Sequence, residues 1–195
     1  MDYKGDTCYI KKVLIGNRQA FAELVNRHKD NVYTLALKIC GNPEDAEEVA
    51  QDSFIKVFRS LKSFRFKSSF PTWLYRIVYN TAITRVRQNK TDVLKIEDFP
   101  VDAVDFLRET IDDQYAEMEY NKALLSFALQ KLNPDYRALI SLHYYQELSI
   151  DEIATVSGLS RSNIKTRLFR ARSRIKEIIN GVTEKEVYQH ERILG

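Results

Sequence analysis

The chain has 195 residues, a hydrophobic fraction of 44% and a formal net charge of only +3. That length suits one mid-sized domain or two small ones, and that apolar content supports a real core and excludes wholesale disorder. No apolar run approaches the span of a bilayer, and residues 1–12 lack the apolar stretch of a signal peptide, so neither an anchor nor a leader is expected. Cys8 and Cys40 are too few and too far apart for a disulfide framework or a zinc site, and read as two reduced cytosolic thiols. His28, His143 and His190 are scattered, and no phosphate loop, metal-ligand spacing or nucleophile constellation occurs. No catalysis, metal, cofactor or small-molecule substrate is therefore expected.

With only six Gly and four Pro, nearly every long segment reads with helical period. From Arg18 to Cys40, Phe21, Leu24, Val25, Val32, Leu35, Ala36 and Ile39 recur at three and four. Gly41 suits a left-handed helix end, Asn42 the cap of the next helix and Pro43 its first turn. That helix carries the apolar residues Ala46, Val49, Phe54, Val57 and Phe58. It also carries Glu44, Glu48 and Asp52 at four-residue spacing, flanked by Glu47 and Gln51. Like charges four apart repel, so this ridge costs helix stability and points to a basic protein partner, with a merely solvated face as the alternative.

A third helix starts near Phe70, with Trp73, Leu74, Ile77 and Val78 inward. Around it, "SFRFKSSFPTWLYRIVYNTAITRVR" mixes bases, aromatics and amides, the ingredients of a groove for single-stranded nucleic acid. Phe64 and Phe66 fall in a short polar loop where a stacking role fits. Trp73 and Tyr75 read first as core. Arg76, Asn80 and Arg87 share a face, and Asn80 reads either as a base-contacting group or as a packing amide.

Charge then divides the chain. Arg59 to Lys90 holds eight bases and no acid, whereas Asp92 to Glu119 holds ten acids and two bases. Helices resume near Tyr120. The expected fold is all-α: a helical domain over residues 1–90, an acidic linker over 91–119, a second helical domain over 120–179 and a polar tail over 180–195. No sustained alternation of period two calls for a sheet.

The second domain contains "SIDEIATVSGLSRSNIKTRLFRARSRIK", from Ser149 to Lys176. Ser149 with Glu152 fits a capping box, Gly158 a turn of positive φ, Leu159 the corner and Ser160 the cap of the second helix. Ile164, Leu168, Ala171, Ile175 and Ile178 form that helix's buried stripe. The remainder, from Ser160 onward, carries seven bases and no acid. This is a helix-turn-helix whose exposed start would meet base edges in the major groove. Arg170, Arg172 and Arg174 lie further along, better placed for phosphates.

Taken together, these segments resemble an extracytoplasmic-function (group IV, sigma-70 family) RNA polymerase sigma factor over roughly Ala20 to Lys176. "DAEEVAQDSFIKVF" resembles the family's polymerase-clamp-binding helix, and "SSFPTWLYRIVYN" its promoter-melting and minus-ten segment. "LNPDYRALISLHYYQELSIDEIA" and "SRSNIKTRLFRAR" resemble its minus-35-reading domain.

The resemblance implies an alternative sigma factor that makes no bonds itself. Asp45, Glu48, Gln51 and Asp52 would dock on the clamp of core polymerase's largest subunit. Phe64, Arg65, Phe66, Lys67, Ser68, Arg76, Asn80 and Arg87 would hold the melted minus-ten strand. Ser160, Arg161, Ser162, Asn163, Lys165, Thr166, Arg167 and Arg170 would read the minus-35 duplex. The acidic linker would thread the polymerase's basic RNA-exit region. The implied partners are core RNA polymerase, promoter DNA and an anti-sigma factor of a kind often membrane-bound, in a cytoplasmic setting without membrane insertion. Three positions depart from the family's habit: Phe66 stands where many members have glycine, Thr84 where an acid is common and Asn163 where threonine is common. The nearest rival, a two-domain helix-turn-helix transcriptional activator, leaves the acidic ridge, the melting-like segment and the linker unexplained together.

Overall fold

The computed structural model describes the backbone of residues 3–89 and 113–194, and the side chains of residues 5–89 and 117–183. Every regular element among these residues is helical. The first half contains α1 (Tyr3–Leu14), α2 (Arg18–Cys40), α3 (Pro43–Ser60) and α4 (Phe70–Gln88). The second contains α5 (Asp113–Gln130), α6 (Pro134–Ile140), α7 (Ile150–Ser157) and α8 (Arg161–Leu194). A 3₁₀ turn at Leu61–Ser63 follows α3, and a π-helical turn at Ser141–Tyr145 follows α6.

The punctuation between α2 and α3 follows the local chemistry. Gly41 ends α2 at φ 87, a conformation glycine adopts without a Cβ clash, and its N–H donates to the Leu37 carbonyl. Asn42 then caps α3, its side chain accepting from the Asp45 backbone N–H, with Pro43 in the first turn. In the first half, α2, α3 and α4 pack on one another, burying Leu24, Val32, Leu35 and Ile39 against Val49, Val57, Leu74 and Val78. Each such side chain contributes about 1.5–3 kcal/mol by leaving water.

Helix α1 escapes a periodicity reading because one inward position is a carboxylate. Asp6 is 3% exposed, one turn before the fully buried Ile10. Its carboxylate meets Arg27 Nε and His28 Nε2, each at 3.1 Å, so α1 is pinned to α2 by polar contacts as well as by apolar ones. In the second half, α5 begins at Asp113, inside the stretch assigned to the linker, and α8 runs to Leu194 through the stretch assigned to a tail. Packing is the reason: Ile179 and Val182 lie with Tyr120 and Phe127 around the buried Leu124, so α8 continues past the lone Gly181. The acids expected between Asp92 and Asp112 lie outside the described residues.

The two halves do not stand apart. A single buried cluster runs from Ile10 and Leu35 through Val78 and Ile83 to Leu139, Ile153, Ile164 and Ala171. Helix α7 packs on α4, and α6 with the π turn packs on α2. No helix of the described residues is long and apolar enough to cross a membrane.

Candidate polymerase and nucleic-acid interface

The acidic ridge of α3 is split in use. Asp45 is only 14% exposed at its side chain and accepts from Arg85 Nε at 2.7 Å, from Asn42 Nδ2 at 2.9 Å and from Asn89 Nδ2 at 3.0 Å. The Asn42 amide first, then Arg85 and Asn89, hold its carboxyl below the usual carboxylate range. Its chemistry is spent inside the domain, fastening the start of α3 to the end of α4, so it is a strap rather than an open docking group. Glu48 shares Arg85, with Nη1 at 2.9 Å from Oε1, yet remains half exposed. Gln51 and Asp52 are exposed further along the helix. The like-charge repulsion expected along the ridge is thus relieved by a cation from α4 that the spacing within α3 could not reveal.

Between α3 and α4 lies an open groove of about 650 Å³, lined by Glu48, Asp52, Lys56, Arg59, Asn80, Thr84 and their neighbours. Asn80 is exposed on its wall, which removes the packing-amide alternative. Lys56 Nζ donates to Thr81 Oγ1 at 3.0 Å across the groove floor. Arg76 is exposed, but Arg87 leans the other way, to 4.0 Å from Asp135 of α6. The expected shared face of Arg76, Asn80 and Arg87 is therefore divided in this arrangement.

The loop ahead of α4 separates its two aromatics. Phe64 is 7% exposed, its ring 5.1 Å from Trp73 and 6.0 Å from Phe70. It is core, and the stacking role expected for it is corrected: a ring packed on three sides cannot offer a face to a base. Phe66 is 46% exposed and lies 4.8 Å from Phe64. Its backbone sits at φ 55, the left-handed region that penalises any side chain bearing a Cβ. A glycine would meet no such penalty at this place. The conformation also lifts the Phe66 ring onto the surface between the exposed Arg65 and Lys67. Ser69 caps α4, and Ser68 is half-buried beside it.

The helix-turn-helix is built as its residues dictate. Ser149 and Glu152 form a reciprocal capping box, Gly158 turns at φ 73, and Ser160 Oγ accepts from the Asn163 N–H. Ile164, Leu168 and Ala171 are buried, each at 3% exposure or less. Ser160, Arg161, Ser162, Asn163, Lys165, Thr166 and Arg170 are exposed, whereas Arg167 is half-buried and its Nε donates to Asn163 Oδ1 at 2.8 Å. Arg161 is paired with the exposed Asp151 of α7, a contact that solvent screens and DNA can displace. Arg174 pairs with Glu177, and Arg172 Nη1 reaches Tyr144 Oη at 3.5 Å. Phe169, 65% exposed on the same helix, was not singled out by charge or capping. Among the described residues, no cluster of His, Cys, Asp and Glu could hold a metal ion.

An acidic helix, an aromatic-and-basic loop beside a polar groove, and a helix-turn-helix whose second helix carries charge of one sign are the combination found in the segments that resemble a sigma factor. Comparison with known proteins agrees. Sigma-70 region 2 is matched over residues 24–91, and Sigma-70 region 4 over residues 122–175. The chain is 33% identical to the ECF RNA polymerase sigma factor SigW of Bacillus subtilis (strain 168), over 86% of this chain and 93% of that one. It is 31% identical to the RNA polymerase sigma-H factor of Pseudomonas aeruginosa, over 89% and 93%. The structure of CnrH in complex with the cytosolic domain of CnrY shares the fold, with a TM-score of 0.65 and 24% identity over 91% of this chain and 98% of that one. The chain belongs to the extracytoplasmic-function RNA polymerase sigma factors. It is an alternative sigma factor acting in transcription initiation.

Proposed function

We propose that three surfaces divide the work of promoter choice. Glu48, Gln51 and Asp52 dock on the clamp of core RNA polymerase, with Asp45 holding their helix in place. Phe66, Arg65, Lys67, Arg76 and Asn80 capture the melted minus-ten strand, Phe66 as the stacking platform and the cations on its phosphates. Ser68 supports the loop, and Arg87 joins this surface when the second domain moves away from it. Arg161, Ser162, Asn163, Lys165, Thr166 and Arg167 read the minus-35 duplex, with Ser160 capping the helix and Arg170 on a phosphate. The acidic stretch of residues 91–112, ahead of α5, runs through the polymerase's basic RNA-exit region. The observation that carries this reading is the recognition helix: seven bases and no acid from Ser160 to Lys176, on a helix whose opposite face is buried.

The protein works in the cytoplasm and makes no bonds itself; the chemistry belongs to the polymerase. An anti-sigma factor is its regulatory partner, since structurally similar chains occur with CnrY and with the anti-sigma factor NepR. Run-off transcription tests the function. Core polymerase plus this chain should initiate from promoters that core alone ignores. A chain that binds duplex DNA yet never supports initiation by core would instead be a two-domain activator.

A further inference from the structure

We propose that α1 is a buttress of the minus-ten loop: Asp6 holds the His28 ring against Phe70, and through that ring the Phe66 platform is fixed in place before a strand arrives. Asp6 and His28 are thus positioning residues for strand capture. This role rests on the reading of the chain as a sigma factor whose loop binds the melted minus-ten strand.

The loop needs such a support. Phe66 stands at φ 55, a conformation that disfavours any residue with a Cβ and persists only where the surroundings impose it. Hydrogen bonds hold the loop at its ends, from the Phe64 N–H to the Leu61 carbonyl at 3.1 Å and between Ser69 Oγ and Thr72 Oγ1 at 2.7 Å. Between those ends it rests on rings. Phe66 lies 4.8 Å from Phe64, and Phe64 lies 6.0 Å from Phe70, edge to face. Phe70 is 4% exposed and meets the His28 ring at 5.3 Å, again edge to face. These are attractive separations for aromatic pairs. A continuous run of rings therefore joins the exposed platform to a buried histidine of α2.

That histidine is oriented from α1. His28 Nδ1 is buried and has no hydrogen-bond partner among the described residues, so Nε2 supplies the polar anchor of the ring. Nε2 donates to Asp6 Oδ2 at 3.1 Å, since a carboxylate can only accept. Asp6 is itself held by the docking of α1. Its other oxygen meets Arg27 Nε at 3.1 Å, and Ile10, one turn on, is fully buried. Gly5 leaves room for Arg27: a Cβ there would lie 2.9 Å from Nη2. The Tyr9 ring centre stands 5.7 Å from the Arg27 guanidinium carbon. Helix α1 also packs on the 3₁₀ turn and on α4, the two elements that bracket the loop. An apolar side chain at position 6 would dock α1 without the penalty of burying a carboxylate. What it could not do is fix a ring nitrogen in one direction, which a hydrogen bond does.

Strand binding by holoenzyme tests the buttress, with a labelled single strand carrying the minus-ten element of a promoter that yields run-off transcript. Trp73, the sole tryptophan, lies 5.1 Å from Phe64 and 6.0 Å from Phe70, so its emission reports the stack. Asp6→Ala should weaken strand binding roughly 5- to 30-fold, the bias of an ordinary residue against left-handed backbone, and shift Trp73 emission to longer wavelength. Asp6→Asn, whose amide oxygen still accepts from His28 Nε2, should bind within about twofold of the unvaried chain. Ile39→Ala, at a fully buried position further along α2 and outside the stack, should lower the melting temperature and leave strand affinity unchanged. In a Phe66→Ala chain, Asp6→Ala should cost less than about twofold, because the ring it steadies is gone. His28→Gln keeps a donor for Asp6 but withdraws the ring from Phe70. It should weaken strand binding as Asp6→Ala does, and it carries the test if far-ultraviolet circular dichroism shows that Asp6→Ala has lost helix. Unchanged strand affinity in both Asp6→Ala and His28→Gln overturns the buttress. So does an equal loss from Asp6→Ala with and without Phe66, or the same loss from Ile39→Ala. In each of those outcomes the unvaried holoenzyme still binds the strand; if it does not, the sigma reading falls, and the buttress with it.

Discussion

The left-handed backbone at Phe66 inverts an ordinary stability ranking. Truncating Phe66 to Ala removes a half-buried ring, worth about 0.8–1.5 kcal/mol as half of a full phenylalanine burial, and leaves the Cβ in its unfavourable conformation. Truncating it to Gly loses the same ring but relieves about 1–2 kcal/mol of left-handed strain, against about 0.5–1 kcal/mol of added chain entropy. Gly should therefore be more stable than Ala here by about 0.5–1 kcal/mol. For a chain of this size that is a difference in melting temperature of roughly 1–4 °C. Function should rank differently. Both variants lose the stacking face, so affinity of the holoenzyme for a melted minus-ten strand should fall by about 1–3 kcal/mol in each, or roughly 5- to 150-fold. The assays are thermal unfolding of the free protein and fluorescence titration of holoenzyme with a labelled single strand. If Ala melts at or above Gly, the backbone argument fails. If either variant binds the strand as tightly as Phe66 does, the platform assignment fails.

Asp45→Asn should lower the melting temperature while core affinity below that temperature is kept, and Gln51→Ala with Asp52→Lys should do the reverse. The Asp45 carboxyl titrates lower in the folded state than in the unfolded chain. Its stabilisation is therefore full above the unfolded value near 3.8 and lost as pH falls below it, so the two melting curves should converge in acid. Arg161→Ala should cost about 1–3 kcal/mol at favoured upstream sequences and relax discrimination there. Arg174→Ala should weaken all sequences alike and flatten the salt slope by about 0.9, the signature of one phosphate; equal losses across a promoter panel from both would leave α8 as a phosphate clamp. Leu168→Asp, at 3% exposure on the buried stripe, should unfold the second domain, seen as lost helical signal and lost DNA binding together.

Local rules settled much of this protein. Gly41, Asn42 and Pro43 set the break between α2 and α3, and Ser149, Glu152, Gly158 and Ser160 set the helix-turn-helix, because caps and left-handed turns depend on a few neighbouring residues. The one-signed charge from Ser160 to Lys176 was equally legible, since a helix with a buried stripe must expose what remains. Elements that rest on distant partners were not legible. Helix α1 is held partly by Asp6 against Arg27 and His28, a polar anchor that interrupts the apolar period. The extension of α8 beyond residue 180 depends on α5, more than fifty positions earlier in the chain. Tertiary structure also reassigned side chains of one chemical type. Phe64 went to the core and Phe66 to the surface, and Asp45 went to an internal strap while Asp52 stayed free. Spacing along a helix fixes which residues share its face, but only the helices packed against that face decide which of them are already occupied.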